Sequence, residues 1–271
     1  MYQAIVTGFI FATGLLWAVP AHPAVIATNE WVDTTGLGWS YVSGLCGCGA
    51  VIDNVTNSPS GGGALRFTYN AGTYPQSVSG GRAEYTFSGK TDLYFGHWMK
   101  WSSPWDWHPI GTKIDYLTTT NPDVSGSFRD NFLILVKPSG QGLLFTQQLQ
   151  QPPGTQNRQM NRGSIAFQLN RWYWLEYHAR MNTVGKADGL FELWIDDTLI
   201  MQHNDVTFRT NNNTWGSAQH SPIWGGNGPA TINQQQFFWV GHTVISTTRI
   251  GHPAVGGDTT PPRSPADFTA Y

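Results

Sequence analysis

Apolar and polar residues alternate with a period of two over much of this chain, and glycine or proline punctuates the alternating runs. After Gly61-Gly62-Gly63, Leu65, Phe67 and Tyr69 fall on one side, with Arg66 and Thr68 on the other. That pattern predicts a half-buried antiparallel strand. Gly80-Gly81 opens the next run, where Arg82, Glu84 and Thr86 share one face and Ala83, Tyr85 and Phe87 the other. Residues 93–101 read as a strand and 104–111 as a loop. Residues 131–137 form an apolar run ended by Pro138, and residues 143–150 a strand closed by Pro152-Pro153. The polar segment 154–162 reads as an exposed loop and 164–169 as a short strand. In the run 171–181, Leu175, Tyr177, Ala179 and Met181 oppose Trp172, Trp174, Glu176, His178 and Arg180. The next strand turns Phe191, Leu193 and Ile195 inward and Glu192 and Trp194 outward, and Asp196-Asp197 makes a hairpin turn into 198–202. Residues 25–60 are Gly-rich and irregular. Residues 203–235 are rich in Asn, Gln and Gly without a period and read as a long loop, before a final strand over 236–247. The expectation is an all-β chain: two antiparallel sheets packed face to face, with the core between their inner faces.

Composition narrows the class. The chain has 271 residues, enough for one large domain with a real core, which we place at residues 25–255. Only 12% of residues are charged and the net charge is −2, without a basic stripe, so no nucleic-acid partner is expected. Residues 1–21 read as a secretory signal, because the apolar run 5–19 is short, Gly-interrupted and followed by Val19-Pro20-Ala21. No second such run follows, so a secreted, monomeric protein without a membrane span is expected. Residues 256–271 include the Pro-rich DTTPPRSP and read as a tail or linker. Cys46 and Cys48 are one residue apart between glycines; a local disulfide, free thiols and a metal site with distant partners all remain open.

Aromatic residues make up 14% of the chain, including 13 Trp, and they cluster. The segment LYFGHWMKWSSPWDWHPIGTKIDY holds Trp98, Trp101, Trp105 and Trp107 with His97, His108, Lys100 and Lys113. Indole faces stack on sugar C–H groups while nearby polar groups take the hydroxyls, so such surface suits a polysaccharide. The other reading of so many Trp is a sandwich core. Trp98, Trp174 and Trp194 are candidate stacking residues, Trp105 and Trp107 candidate rim residues of a groove, and Lys100 shares a face with Trp98.

Several stretches taken together resemble a family. They are GALRF at residues 63–67, Arg82-Ala83-Glu84, HWMKWSSPWDWHPIGTK at 97–113, RWYWLEYHARMNTVGKADGLFELWIDD at 171–197 and VGHTVISTTRIGHP at 240–253. Over roughly residues 60–253 the chain is similar to the concanavalin A-like jelly-roll polysaccharide lyases of the heparin lyase and alginate or glucuronan lyase type. The resemblance implies a jelly-roll β-sandwich and cleavage of an acidic, uronate-containing polysaccharide by β-elimination. The Gln-Ile-His and Tyr-x-Lys-x-Gly-x-Tyr motifs of one alginate lyase family are absent, which keeps a non-catalytic carbohydrate-binding module as the alternative.

A uronate lyase must neutralise the C5 carboxylate, remove the C5 proton and protonate the leaving glycosidic oxygen. Arg82 is the candidate neutraliser, with Glu84 on the same face to orient it. His178, between Glu176 and Arg180 on the Trp-bearing face, is the candidate base. Lys113, after Gly111, can meet an acidic sugar or a proton. His97 can serve likewise, or sit in the core between Phe95 and Met99. No paired carboxylates suited to a glycoside hydrolase are visible. No cofactor is assigned; Ca²⁺ stays open, since Asp188, Asp196 and Asp197 offer oxygens without a recognisable loop pattern.

Overall fold

The structure is a computed structural model that describes residues 25–33, 38–42, 49–120, 131–139, 142–149, 156–162, 165 and 167–255. The expected signal segment, Cys46, Cys48 and the Pro-rich tail lie outside the described residues. The described chain forms strands β1 (Val25–Asn29), β2 (Trp39–Val42), β3 (Ala50–Asp53), β4 (Ala64–Tyr69), β5 (Gly72–Ser79), β6 (Arg82–Lys90), β7 (Asp92–Trp101) and β8 (Thr112–Thr119). It continues through β9 (Asn131–Ser139), β10 (Gly142–Leu149), β11 (Gln156–Gln159), β12 (Tyr173–Arg180), β13 (Gly189–Ile195), β14 (Thr198–Val206), β15 (Trp215–Ile232) and β16 (Gln236–Ser246).

Two antiparallel sheets stack as a jelly-roll β-sandwich. One, here the β7 sheet, has the order β14-β13-β12-β7-β16-β4-β3, with β1 also paired to β16. The other, the β15 sheet, has the order β11-β10-β9-β8-β15-β6-β2, with β5 also paired to β15. The alternation read from the sequence sets what lies between them. Leu65, Phe67, Phe95, Met99, Leu175, Tyr177, Phe191 and Leu193 face inward from the β7 sheet, and Ala83, Ile114, Leu117, Val136, Phe145 and Ala218 from the β15 sheet. The Asp196-Asp197 turn forms as expected, with both residues at positive φ (46° and 61°), as a two-residue hairpin requires.

Four segments depart from the expected pattern. Residues 203–235 are not one loop: they contain β15, which is 18 residues long and lies inside its sheet between β8 and β6. Register shifts at Trp215/Ser217, His220/Ile223, Trp224/Asn227 and Asn227/Ala230 break the period that would have marked it. The stretch 25–60 holds three short strands, β1 to β3, and β11 lies within the expected loop 154–162. The expected strand at 164–169 reduces to a single bridge residue, Ile165, among those described.

Candidate active site on the β15 sheet

The site starts from a bulge. In β8 the register slips between Lys113 and Tyr116 against β9, where β8 carries the extra residue, and β15 slips between His220 and Ile223 opposite Asp115 and Lys113. Two consecutive residues therefore face inward: Ile114 joins the core and Asp115 enters it with 1% exposure. Lys113 and Tyr116, on either side, both face outward. This follows from their neighbours, since Thr112 pairs with core residue Val136 and Leu117 with core residue Ala218.

Asp115 is held inside by two histidines. His97 Nε2 and His220 Nδ1 each lie 2.7 Å from one of its carboxylate oxygens. His220 Nε2 lies 3.0 Å from Thr243 Oγ1, which accepts the Trp31 indole N–H at 3.0 Å. Burial would raise the Asp115 pKa, but the charge of His97 and the bonds from both rings outweigh it and bring it to about 2. Burial lowers His220 to about 4. The three side chains offer ligand atoms within 4.8 Å of one another. The 2.7 Å contacts, however, are hydrogen bonds; ligand atoms sharing a tetrahedral Zn²⁺ at its usual bond lengths sit about 3.3 Å apart. His97 is thus a core histidine that shapes β8, and it does not reach a substrate surface.

Outward from the bulge, the cross-strand register builds a polar row. Tyr116 of β8 lies opposite Gln219 of β15, Gln219 opposite Glu84 of β6, and Glu84 opposite Ser40 of β2. Glu84 is the hub. Its Oε1 accepts Ser217 Oγ–H at 2.7 Å and Gln219 Nε2–H at 2.9 Å, and its Oε2 lies 3.6 Å from the Arg82 guanidinium. Ser217 in turn bonds Thr118. These residues point away from the core, yet Glu84 is 8% exposed, Tyr116 6% and Gln219 5%. A polar row sunk to that depth on an outer face is a site rather than a solvated surface. Burial pushes the Tyr116 phenol well above its ordinary range and the Lys113 ammonium below its own. The arrangement offers a fixed guanidinium and amide, an amine that loses its proton more readily than usual, and a phenol that keeps its proton.

The sequence-derived candidates divide between two opposite faces. Arg82, Glu84 and Lys113 lie on the β15 sheet. Trp98, Lys100, Trp174, Glu176, His178, Arg180 and Trp194 belong to the outer face of the β7 sheet, on the far side of the core. Arg82 and His178 therefore do not converge on one sugar. His178 bridges strands instead, with Nε2 at 2.6 Å from Asp92 and Nδ1 at 2.9 Å from Glu192, and stacks on Tyr94. Burial alone would lower its pKa, but the two carboxylates raise it.

Trp98 and Trp174 are not a free stacking platform, being 3% and 0% exposed. Residues 247–255 run across them as a strap. The Glu176 carboxylate accepts the backbone N–H groups of Ile250 at 2.8 Å and Gly251 at 2.9 Å, and His252 packs edge-on to Trp98. Arg249 covers Trp194 at 4.8 Å and pairs with Asp197. Trp105 and Trp107 turn toward the core, Trp105 against Tyr69 and Trp107 against Trp101, so they do not rim a groove. Arg180 lines an open cavity of about 430 Å³ with Asp92 and Arg209 at the end of the β7 sheet. The carboxylates considered for Ca²⁺ have protein partners: Asp188 accepts Thr183 N–H, Asp196 takes Trp174 N–H and Arg171, and Asp197 takes Arg249.

Tyr116, Ser217 and Gln219 were not among the sequence candidates. In retrospect Ser217, Gln219 and Ser221 alternate with Ala218 and His220, a short period-two signal inside the Asn/Gln-rich stretch. Nothing local marks Tyr116, because its orientation comes from the bulge.

Comparison with known proteins agrees with this architecture. The profile of the family polysaccharide lyase 14 matches residues 137–239. No curated protein matches in sequence. Among solved structures, the endo-β-1,4-glucuronan lyase of the fungus Trichoderma reesei is similar with a TM-score of 0.62 at 14% identity, covering 83% of this chain and 96% of that one. The alginate lyase vAL-1 of Chlorella virus gives 0.59 at 12% identity, covering 82% and 99%. The marine PL-14 alginate lyase of Aplysia kurodai gives 0.55 at 16% identity, covering 72% and 86%. At these identities the structural likeness speaks for the fold alone, and the family profile matches less than half of the chain. The chain is thus a jelly-roll β-sandwich that is similar, over residues 137–239, to the polysaccharide lyase 14 family.

Proposed function

We propose that the protein cleaves an acidic, uronate-containing polysaccharide by β-elimination on the outer face of the β15 sheet. The observation that carries this reading is Lys113 and Tyr116 facing out from one bulge, beside the row of Arg82, Glu84 and Gln219. Arg82 and Gln219 meet the C5 carboxylate and stabilise the negative charge that grows when the C5 proton leaves. Glu84 holds both groups in place. Neutral Lys113, favoured by burial, takes the C5 proton. The Tyr116 phenol, kept protonated by burial, gives its proton to the glycosidic oxygen as the C4–O4 bond breaks and the C4–C5 double bond forms. The names of the similar structures, alginate and glucuronan lyases, support a uronate substrate. Export is part of the proposal and rests on the apolar run 5–19; an exported product still carrying that run overturns this part.

The test is ultraviolet absorbance of the unsaturated uronate product, with a panel of polyuronates as substrates. Lys113→Met and Tyr116→Phe should each lower kcat by about 10²- to 10⁴-fold. The acid limb of the pH–rate profile should fall below the ordinary lysine range, because the rate rises as Lys113 loses its proton. His178→Ala should leave kcat within a few-fold, since it lies on the other face. Full activity in both Lys113→Met and Tyr116→Phe sinks this site. Binding of polyuronate without product from any of them favours a carbohydrate-binding module, consistent with a row whose hydrogen bonds are already made among Glu84, Ser217 and Gln219.

A further inference from the structure

The outer face of the β7 sheet has a second region that the strap leaves uncovered. The register sets Lys100 of β7 opposite Trp239 of β16, Trp239 opposite Arg66 of β4, and Arg66 opposite Val51 of β3. Cations and aromatic rings alternate along it. The Lys100 ammonium lies 4.8 Å from the centre of the Trp172 ring and 4.5 Å from that of Trp239, and Arg66 lies 5.1 Å over Phe237. Lys100, Arg66, Trp172 and Phe237 are all half-buried, and Val51 is exposed.

The charges do not cancel. Asp53 is the carboxylate within this row. It pairs with Arg66 at 3.6 Å, accepts the Trp239 indole N–H at 2.9 Å and caps the turn through Val55 and Thr56 N–H. Among the described residues, no hydrogen bond or ion pair within 4.0 Å is made by Lys100: its ammonium lies against two ring faces, and burial lowers its pKa while the more distant Asp53 charge acts the other way. A half-desolvated ammonium fixed between indoles retains its capacity to donate hydrogen bonds to an anion. The half-buried ring of Trp172 beside it suits the C–H face of a sugar.

We propose that the row of Lys100, Trp172, Trp239 and Arg66 is a second binding strip for an acidic polysaccharide chain, with a sugar carboxylate on Lys100 and a sugar ring along Trp172. It lies on the face opposite the Arg82 row, so it holds polymer without placing it at the reacting groups. The strip stands on its own observations and does not require cleavage to occur.

The experiment is affinity electrophoresis of the full chain in gels containing alginate, a polyuronate, or neutral dextran. It uses an Arg82→Ala background, so that the polymer is not cut and the opposite face is weakened. The parent should be retarded by alginate and not by dextran, and less so as salt is raised. Adding Lys100→Met, which keeps the alkyl stem between the indoles, should weaken retention about tenfold, as loss of one charge-assisted hydrogen bond implies. Trp172→Ala should act similarly, and Lys100→Arg should restore most of the binding. The proposal is overturned if the parent is not retarded, if dextran retards it equally, or if Lys100→Met and Trp172→Ala migrate like the parent. Failure of the lyase assay leaves every arm of this test readable.

Discussion

Asp115 takes a ring nitrogen of His97 and one of His220 at 2.7 Å each, with no water-facing surface to speak of. A carboxylate so placed is strongly destabilising when its partners are removed, because the charge remains buried and unpaired. Replacing Asp115 with Asn should lower stability by about 3–5 kcal/mol and the Tm by roughly 10 °C, measured by circular dichroism. The pH dependence has a definite sign. His220 has a depressed pKa, so the folded form binds fewer protons than the unfolded chain between about 6.5 and 4. Its contribution is present above about pH 6.5 and is lost as the pH falls to 4. Asp115 is also depressed, so its contribution disappears below that, as the pH approaches about 2. Thermal melts should therefore weaken from pH 6.5 downward, and His220→Asn should flatten the upper part of that slope. An unchanged melt in Asp115→Asn would remove the interior network from this account. The sequence offered half of it as one of two readings: His97, a catalytic candidate there, also alternates with Phe95 and Met99 as a core position does. Asp115 did not show itself, because a bulge reverses the parity of everything after it.

Among the elements, the strap of residues 247–255 explains why the outward-reading tryptophans of β7 and β12 are buried. Trp98, Trp174 and Val244 form a small apolar cluster, with Ile250 and Val255 packed against it. Gly96 belongs to the same arrangement. A methyl group on it would lie 2.5 Å from the Trp174 ring, so glycine is what lets the indole lie across β7. Glu176 anchors the strap through two backbone N–H groups, although burial raises its pKa. In Glu176→Gln the side chain keeps its shape but loses its charge and, having one acceptor oxygen, one of the two bonds. Hydrogen exchange at Ile250 and Gly251 should then accelerate by about tenfold or more, in line with about 1.5–3 kcal/mol for a charged hydrogen bond. Protection along β12 should persist; equal protection of both amides in the variant would mean that Glu176 does not hold the strap. Alternation gave the face of each β12 residue correctly, but it carries no information on what a later segment lays over that face.

Across the whole molecule, two polar surfaces lie back to back on a sandwich whose sheets pack about 10 Å apart. The Arg82 row and the Lys100 row share no residue, so their effects should be independent. The double variant Arg82→Gln with Lys100→Met should cut the rate on dilute polymer by the product of the single effects. A deviation beyond about threefold would show coupling across the core. The sequence by itself determined the all-β class, the inner face of the long regular strands, the Asp196-Asp197 hairpin and the family resemblance. Each of these depends on neighbours two residues apart or on a contiguous motif, which is the range over which a pleated strand repeats. Tertiary structure decided which sheet each strand joins, and hence that Arg82 and His178 stand on opposite faces. It also decided that Gly-rich β15 is a central strand, that Tyr116 and Gln219 complete the row around Glu84, and that the strap closes over Trp174. Those outcomes rest on cross-strand pairing and bulges between residues as far apart as Glu84 and Gln219, where no local period reaches.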